Sequence, residues 1–299
     1  MSQDAPEHMR TLARELSRVL GRIAIREALC AAAGLKPVRI STMESDIEDV
    51  IAPIRRHGLA VAIGSCTQWI AKDRGKGGWS SASGVPGSGE PWRHLYVARD
   101  TCQAELLRSA EEHGSDEEFG RLLLIPACCR AMFQRNRGEA ESVQCDFFRY
   151  TYPDAMNVCP WLVHIGAQYF DASMLSHYPC SPACADSHSL ARIAWRIHSA
   201  AAPDSARASA RLMQAACIYS EDQGICLLTN AVLDGEWVTA AGPMHSTSGE
   251  GPLHSLVSRS RRIYCPRVGE IVGESQGKTE RFRANGLRIV LPQCEVAGQ

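Results

Sequence analysis

The sequence predicts an α+β protein in three parts. They are an N-terminal α/β unit over residues 1–114, a helical cysteine-bearing core over 115–214, and a smaller β-rich domain over 215–299. Three observations predict this. Apolar positions at helical spacing dominate the first two parts. Beyond residue 215, short β-type runs alternate with Gly, Asn, Asp and Pro turns. A chain of 299 residues, 45% hydrophobic and 22% charged, is also long and apolar enough for a real core and more than one domain.

The elements follow in order. Leu12, Leu16, Val19, Leu20, Ile23 and Ile25 mark one apolar helical face within residues 6–34, and Gly34 and Pro37 stop it. A short apolar segment near Val38, a helix over 46–56 and a strand over 59–63 come next. The continuous apolar run 59–63 suits a fully buried strand. Residues 73–91 are rich in Gly, Ser and Pro and read as a long loop. A strand over 92–98 and a helix over 104–113 complete the first part. Residues 115–202 and 203–214 carry mostly helical patterns. The β-type runs of the last part are 217–219, 225–228, 237–240, 262–264, 270–272 and 287–291. The chain shows no repeat of solenoid type.

Composition narrows the function. A net charge of -1 gives no overall field toward nucleic acid or an anionic membrane. The longest apolar stretches, such as 59–63 and 122–125, are far too short to span a bilayer. The N-terminal MSQDAPEHMR carries acids and no apolar stretch, so it does not read as a secretory leader, and a cytoplasmic protein is expected.

Thirteen cysteines cannot all pair. In a reducing compartment, clustered cysteines point to metal or catalysis more than to disulfides. Cys30, Cys217 and Cys226 sit in apolar surroundings and read as small buried hydrophobes. The first cluster is Ile125-Pro126-Ala127-Cys128-Cys129-Arg130. Proline favours the first helical position, so both thiols fall in a first turn, where unpaired backbone N–H groups favour the thiolate. Two core cysteines at an apolar helix start are the plain alternative.

The second cluster is His177-Tyr178-Pro179-Cys180-Ser181-Pro182-Ala183-Cys184, with Asp186, Ser187 and His188 after it. Ser181 suits an N-cap and Pro182 the first helical residue, which puts Cys184 at the third helical position. His188 follows four residues later on the same face. Prolines and a cap around the cysteines make simple packing a poor explanation. Together the clusters offer four thiolates at two helix starts, the ligand set of tetrahedral zinc or an iron–sulfur cluster. Adjacent residues on a helix diverge by about 100°, and the Cys-x2-Cys zinc spacing is absent. Both points favour an iron–sulfur cluster on Cys128, Cys129, Cys180 and Cys184, with zinc or mononuclear iron as the alternative.

Other matches fail. A radical-SAM reading from Cys180 and Cys184 meets Ser187 where a third cysteine belongs. Gly64-Ser65-Cys66 lacks the second glycine of a nucleophile elbow, because Gln68 stands there. The GKGG at 75–78 lacks the Ser or Thr of a phosphate-binding loop.

The segment Phe119-Gly120-Arg121-Leu122-Leu123-Leu124-Ile125-Pro126-Ala127-Cys128-Cys129, with Phe133 after it, resembles the opening motif of the cysteine-rich DUF483 family. The segment Leu175-Ser176-His177-Tyr178-Pro179-Cys180-Ser181-Pro182-Ala183-Cys184, with Ser187, resembles that family's second motif. The resemblance covers about residues 95–200. Ile125 departs from the Gly-Tyr or similar pair expected there, and the cysteines are untouched. The family has no assigned function, so the resemblance implies motif residues and no reaction.

Further candidates surround the clusters. Cys145 and Cys159 flank Phe147, Phe148, Tyr150, Tyr152 and Trp161, and core packing suits them better than ligation. His177 is the candidate catalytic residue, as a fifth ligand or proton donor; bracing the turn before Cys180 is the alternative. His164 reads as a core histidine. Asp186 is a candidate to orient His188. Arg259, Arg261, Arg262, Arg267, Lys278, Arg281, Arg283 and Arg288 make the last part locally basic, which fits RNA or a phosphorylated substrate; a basic strand face is usually only solvated, and a small-molecule substrate rather than nucleic acid is the expected partner. The expected function is a metal-dependent enzyme, of iron–sulfur or non-haem iron type, acting on a small molecule. The alternative is a zinc-stapled module contacting RNA or a protein.

Overall fold

A computed structural model describes residues 6–69, 89–141 and 146–293. It is a mixed α+β fold, with its strands in three sheets. In chain order the elements are α1 (Glu7–Leu16), α2 (Arg22–Ala32), β1 (Val38–Met43), α3 (Ile47–Arg56), β2 (Ala60–Ile63), β3 (Trp92–Ala98), α4 (Thr101–Glu112), α5 (Asp116–Leu122), α6 (Ala127–Glu141), α7 (Phe148–Thr151) and β4 (Met156–Pro160). Then follow α8 (Ala185–Ala201), α9 (Pro203–Met213), β5 (Ala216–Ser220), β6 (Gly224–Leu228), β7 (Ala231–Asp234), β8 (Trp237–Ala240), β9 (Met244–Ser246), α10 (Pro252–Arg259), β10 (Arg262–Arg267), β11 (Glu270–Ser275), β12 (Lys278–Arg283) and β13 (Arg288–Gln293). The loop expected over 73–91 lies, up to residue 88, outside the described residues, as does Cys145. No helix among the described residues is long and apolar enough to cross a membrane.

The described residues divide into two compact units, one within residues 6–69, 89–134 and 189–208, the other within 135–188 and 209–293. In the first, α1 buries Met9, Leu12, Ala13 and Leu16 along one stripe. The single apolar stripe expected over 6–34 is broken at 17–21. Ser17 Oγ bonds back to the Arg14 carbonyl (2.8 Å), and Gly21, extended, opens α2. A serine that competes for the backbone and a glycine of low propensity outweigh a continuous apolar pattern. Gly34 ends α2 with a positive φ of 72°, and Leu35 N–H reaches the Cys30 carbonyl (2.9 Å).

The sheet of this unit is antiparallel, in the order β1-β3-β2. Alternation puts Val38, Ile40, Leu95 and Val97 into one core with α1, α2 and α3. Ala62, Tyr96 and Ala98 enter a second core with Ala104, Leu107 and Leu123. Strand β2 is an edge strand, and Ile63 is 39% exposed, which corrects the fully buried strand expected over 59–63. Five apolar residues in a row fit an edge strand as well, because each face is partly covered by its own helices.

The second unit holds two five-stranded sheets, β12-β11-β10-β8-β7 and β4-β13-β5-β6-β9. Their inner faces share one core, including Ile218, Cys226, Val238, Ile263, Ile271 and Ile289, with Leu253 and Leu256 of α10. Each run expected after residue 215 lies within or overlaps a strand, while β7, β9, β12 and α10 are additions. Strand β4, in the stretch read as mostly helical, pairs in parallel with β13. The buried Arg288 donates to the carbonyls of Gly286 (2.8 Å), Arg149 (3.1 Å) and Tyr152, satisfying the end of α7.

Candidate metal centre

The first cysteine pair is placed by how α5 ends. Leu124 adopts a positive φ of 57°, and Ile125 N–H bonds the Gly120 carbonyl (2.9 Å), so the chain turns sharply into Pro126. The Pro126 carbonyl accepts from Cys129 N–H (2.9 Å) and Arg130 N–H (3.0 Å) and opens α6. Cys128 and Cys129 are therefore in the first helical turn, as the proline predicts. Arg130 locks the turn, donating to the Ile125 carbonyl and to Glu117 (2.8 Å). Its aliphatic stem lies over Gly120, where a Cβ would come within 2.7 Å of Arg130 Cδ. A side chain at Gly120 would push this brace away.

The second pair sits on a turn rather than inside a helix. Cys184 N–H bonds the Ser181 carbonyl (3.3 Å), and the Cys184 carbonyl accepts from His188 N–H (3.0 Å). Helix α8 starts at Ala185, so Cys184 holds the N-cap position instead of the expected third helical one. Ser181 and Pro182 form a preceding turn, which consumes the residues that sequence reasoning assigned to the helix start. Three contacts pin this segment. Thr151 Oγ1 donates to the Pro179 carbonyl (2.6 Å). The Tyr178 ring meets Phe147 with centroids 5.7 Å apart. His177 Nε2 and Ser187 Oγ are 2.9 Å apart.

The sulfur atoms of Cys128, Cys129, Cys180 and Cys184 all lie within 4.8 Å of one another. Those of Cys128 and Cys129 are 3.9 Å apart. Cys129 and Cys184 are buried, Cys180 is half-buried and Cys128 is exposed. Four thiols this close form a ligand set that a metal ion can take. Among the described residues, the set contains neither His188 nor Cys159. Cys159 is buried, receives the Tyr152 hydroxyl (3.7 Å), and has its thiol pushed up to about 12 by that burial. Burial likewise raises Cys30 and Cys226 to about 11. Such thiols stay protonated at neutral pH and pack as small hydrophobes.

The aromatic stretch fills the core. Phe148 stacks on Tyr219 (4.1 Å, 11°), and both are buried. Sequence reasoning missed Asp146, whose buried carboxylate accepts the hydroxyls of Tyr169 and Tyr219 (2.8 Å each) and Phe148 N–H (2.9 Å). An acid set in the aromatic run DFFRYTY was the available signal, since a carboxylate is buried only with partners.

His164 is a core histidine, as expected. Its Nδ1–H donates to the Met213 carbonyl (2.9 Å), and Nε2 is buried with no hydrogen-bond partner among the described residues. Burial lowers its pKa from 6.5 to about 4, against a smaller raising effect of the Met213 bond. The folded state thus refuses a proton that the unfolded chain accepts, so stability is lost as pH falls from 6.5 to about 4 and not further below. The expected loss is roughly 3 kcal/mol. In urea melts across this window, the wild type should lose about that much more than a His164→Gln variant. Parallel pH profiles for the two would refute the assignment.

No family model, no curated protein and no solved structure matches the chain.

Proposed function

We propose that this chain is a metal-binding protein whose Cys128, Cys129, Cys180 and Cys184 hold one tetrahedral ion of the zinc class as a closed, fold-stabilising centre. The observation that supports this is the tight spread of the four sulfurs, within 4.8 Å. With metal–sulfur bonds of about 2.3 Å, the edge of a tetrahedron is about 3.8 Å. The 3.9 Å between Cys128 and Cys129 fits that edge. A cluster spreads its thiolates over several irons and needs them further apart. In the sequence, the divergence of adjacent helical residues and the missing Cys-x2-Cys spacing favour a cluster; the side-chain rotamers of Cys128 and Cys129 offset the first of these. Four thiolates fill a tetrahedron, so the bound ion supplies cross-linking and no open coordination position. The two motifs that resemble DUF483 are, in this reading, the two halves of one ligand set.

An iron–sulfur enzyme acting on a small molecule is the second reading. The exposure of Cys128 favours it, because electrons or substrate would have a path to the centre. Metal analysis of anaerobically purified protein separates the two. The first reading gives about one zinc per chain and no visible absorbance. A brown protein with iron and acid-labile sulfide would overturn it for the second.

His177 acts in the first reading as a positioning residue. Its bond to Ser187 fixes the segment that presents Cys180. His177→Ala should then weaken metal binding by about 10–100-fold, the usual cost of losing a residue that orients a ligand. Chelator competition measures this, and thermal stability should fall with it. Full metal affinity together with lost turnover would instead make His177 catalytic.

A further inference from the structure

The metal centre leaves unexplained a cluster of arginines on the sheet β12-β11-β10-β8-β7. Glu270 opens β11 with its side chain only 2% exposed. Its carboxylate takes Nε (3.1 Å) and Nη2 (2.8 Å) of Arg267, Nη1 of Arg281 (2.7 Å) and Nε of Arg283 (3.2 Å). Register explains the convergence. Arg267 and Arg283 are the direct cross-strand partners of Glu270, and Arg281 lies two residues from Arg283 on the same face. The three arginine side chains are 66%, 68% and 72% exposed.

One carboxylate needs one arginine, and here it organises three. The excess leaves a net charge of +2 at this spot, held by a buried anchor. Each guanidinium carries about five N–H donors, and the glutamate engages one or two of each, so most donors remain directed to solvent. A depression beside Arg283 is lined by Val268, Gly269, Ala284, Asn285 and Gly286. Its single acid, Asp222, accepts the Ser220 hydroxyl (2.8 Å).

We propose that Arg267, Arg281 and Arg283, preorganised by Glu270, form a binding site for a single phosphate group, either the free ion or a monoester. The charge decides the class. A phosphomonoester carries about -1.5 to -2 at neutral pH, which matches the local +2. A nucleic-acid strand would need positive charge continuing across the sheet, and it does not continue. Arg262 on the same face is paired with Glu274 (2.8 Å) and lies over the Trp237 ring at 4.4 Å. Guanidinium groups are suited to phosphate because their planar donors engage its oxygens in pairs. The proposal uses none of the cysteines and stands apart from the metal reading.

Calorimetric titration of the full chain at low ionic strength tests it, with inorganic phosphate, phenyl phosphate and a short oligothymidylate as separate probes. Binding of phenyl phosphate, weakened about tenfold in Arg281→Gln and again in Arg283→Gln, is the expected result. Inorganic phosphate binding as well as phenyl phosphate marks a free-ion site, and weaker inorganic phosphate marks an esterified ligand; both uphold the proposal. Arg259→Gln, whose guanidinium is held by Glu280 (2.7 Å), should bind as the wild type does. Glu270→Gln adds net positive charge and removes the anchor, so it should bind more weakly. Tighter binding in Glu270→Gln would show charge without organisation and overturn the proposal. So would stronger binding of oligothymidylate than of phenyl phosphate, or no binding by the wild type.

Discussion

With the proposed centre on the four cysteines, Cys184→Ser is expected to lose bound metal almost completely. A serine hydroxyl is a poor ligand for a soft metal, and Cys184 is a buried member of the four-sulfur group. Residues that merely orient ligands are worth about 10–100-fold in metal affinity, so removing a ligand should cost more than about 100-fold. Binding to a site absent from the unfolded chain contributes directly to folding stability. The melting temperature of Cys184→Ser should therefore drop and stop responding to added zinc. Cys66→Ser changes an exposed cysteine outside the group and should keep full metal content. Retention of stoichiometric metal by Cys184→Ser would remove that residue from the site.

Asp146→Ala is the second large effect, and it concerns stability alone. The carboxylate accepts from Tyr169, Tyr219 and Phe148 N–H, all buried. Burial and the nearby Asp146 charge hold both tyrosines well above their ordinary pKa, so they remain protonated donors at any working pH. Truncation takes the shared acceptor away from three buried donors at about 1–3 kcal/mol each, or on the order of 3–9 kcal/mol in total. That is a large share of the roughly 5–15 kcal/mol that holds an ordinary domain together. Tyr219→Phe removes one donor and leaves the carboxylate its other partners, so it should cost about 1 kcal/mol. Denaturant midpoints measure both. A loss below about 1 kcal/mol for Asp146→Ala would show that water or a relaxed side chain replaces the network.

What the sequence reveals here is local chemistry. Pro126 placed Cys128 and Cys129 in a first helical turn without any tertiary information. Gly34 ended α2 with the left-handed residue that a cap requires. The turn residues after 215 marked strands such as β8 and β10 because each strand is short and punctuated. Long-range pairing left no such trace. Strand β4 joins β13 in parallel across more than a hundred residues, with Met156 opposite Ile289. Asp146 finds its tyrosines 23 and 73 residues away, so its residue type was visible and its partners were not. The separation of the Cys128 and Cys129 sulfurs depends on side-chain rotamers, which spacing along the chain does not determine. In the proposed function, that separation is what favours a single ion over a cluster.

X-ray absorption at the metal edge of anaerobically purified protein tests the central claim most directly. A single ion on the four cysteines predicts one shell of four sulfurs at about 2.3 Å and no metal–metal scattering. A metal–metal vector, or a first shell with nitrogen or oxygen in place of sulfur, would contradict it.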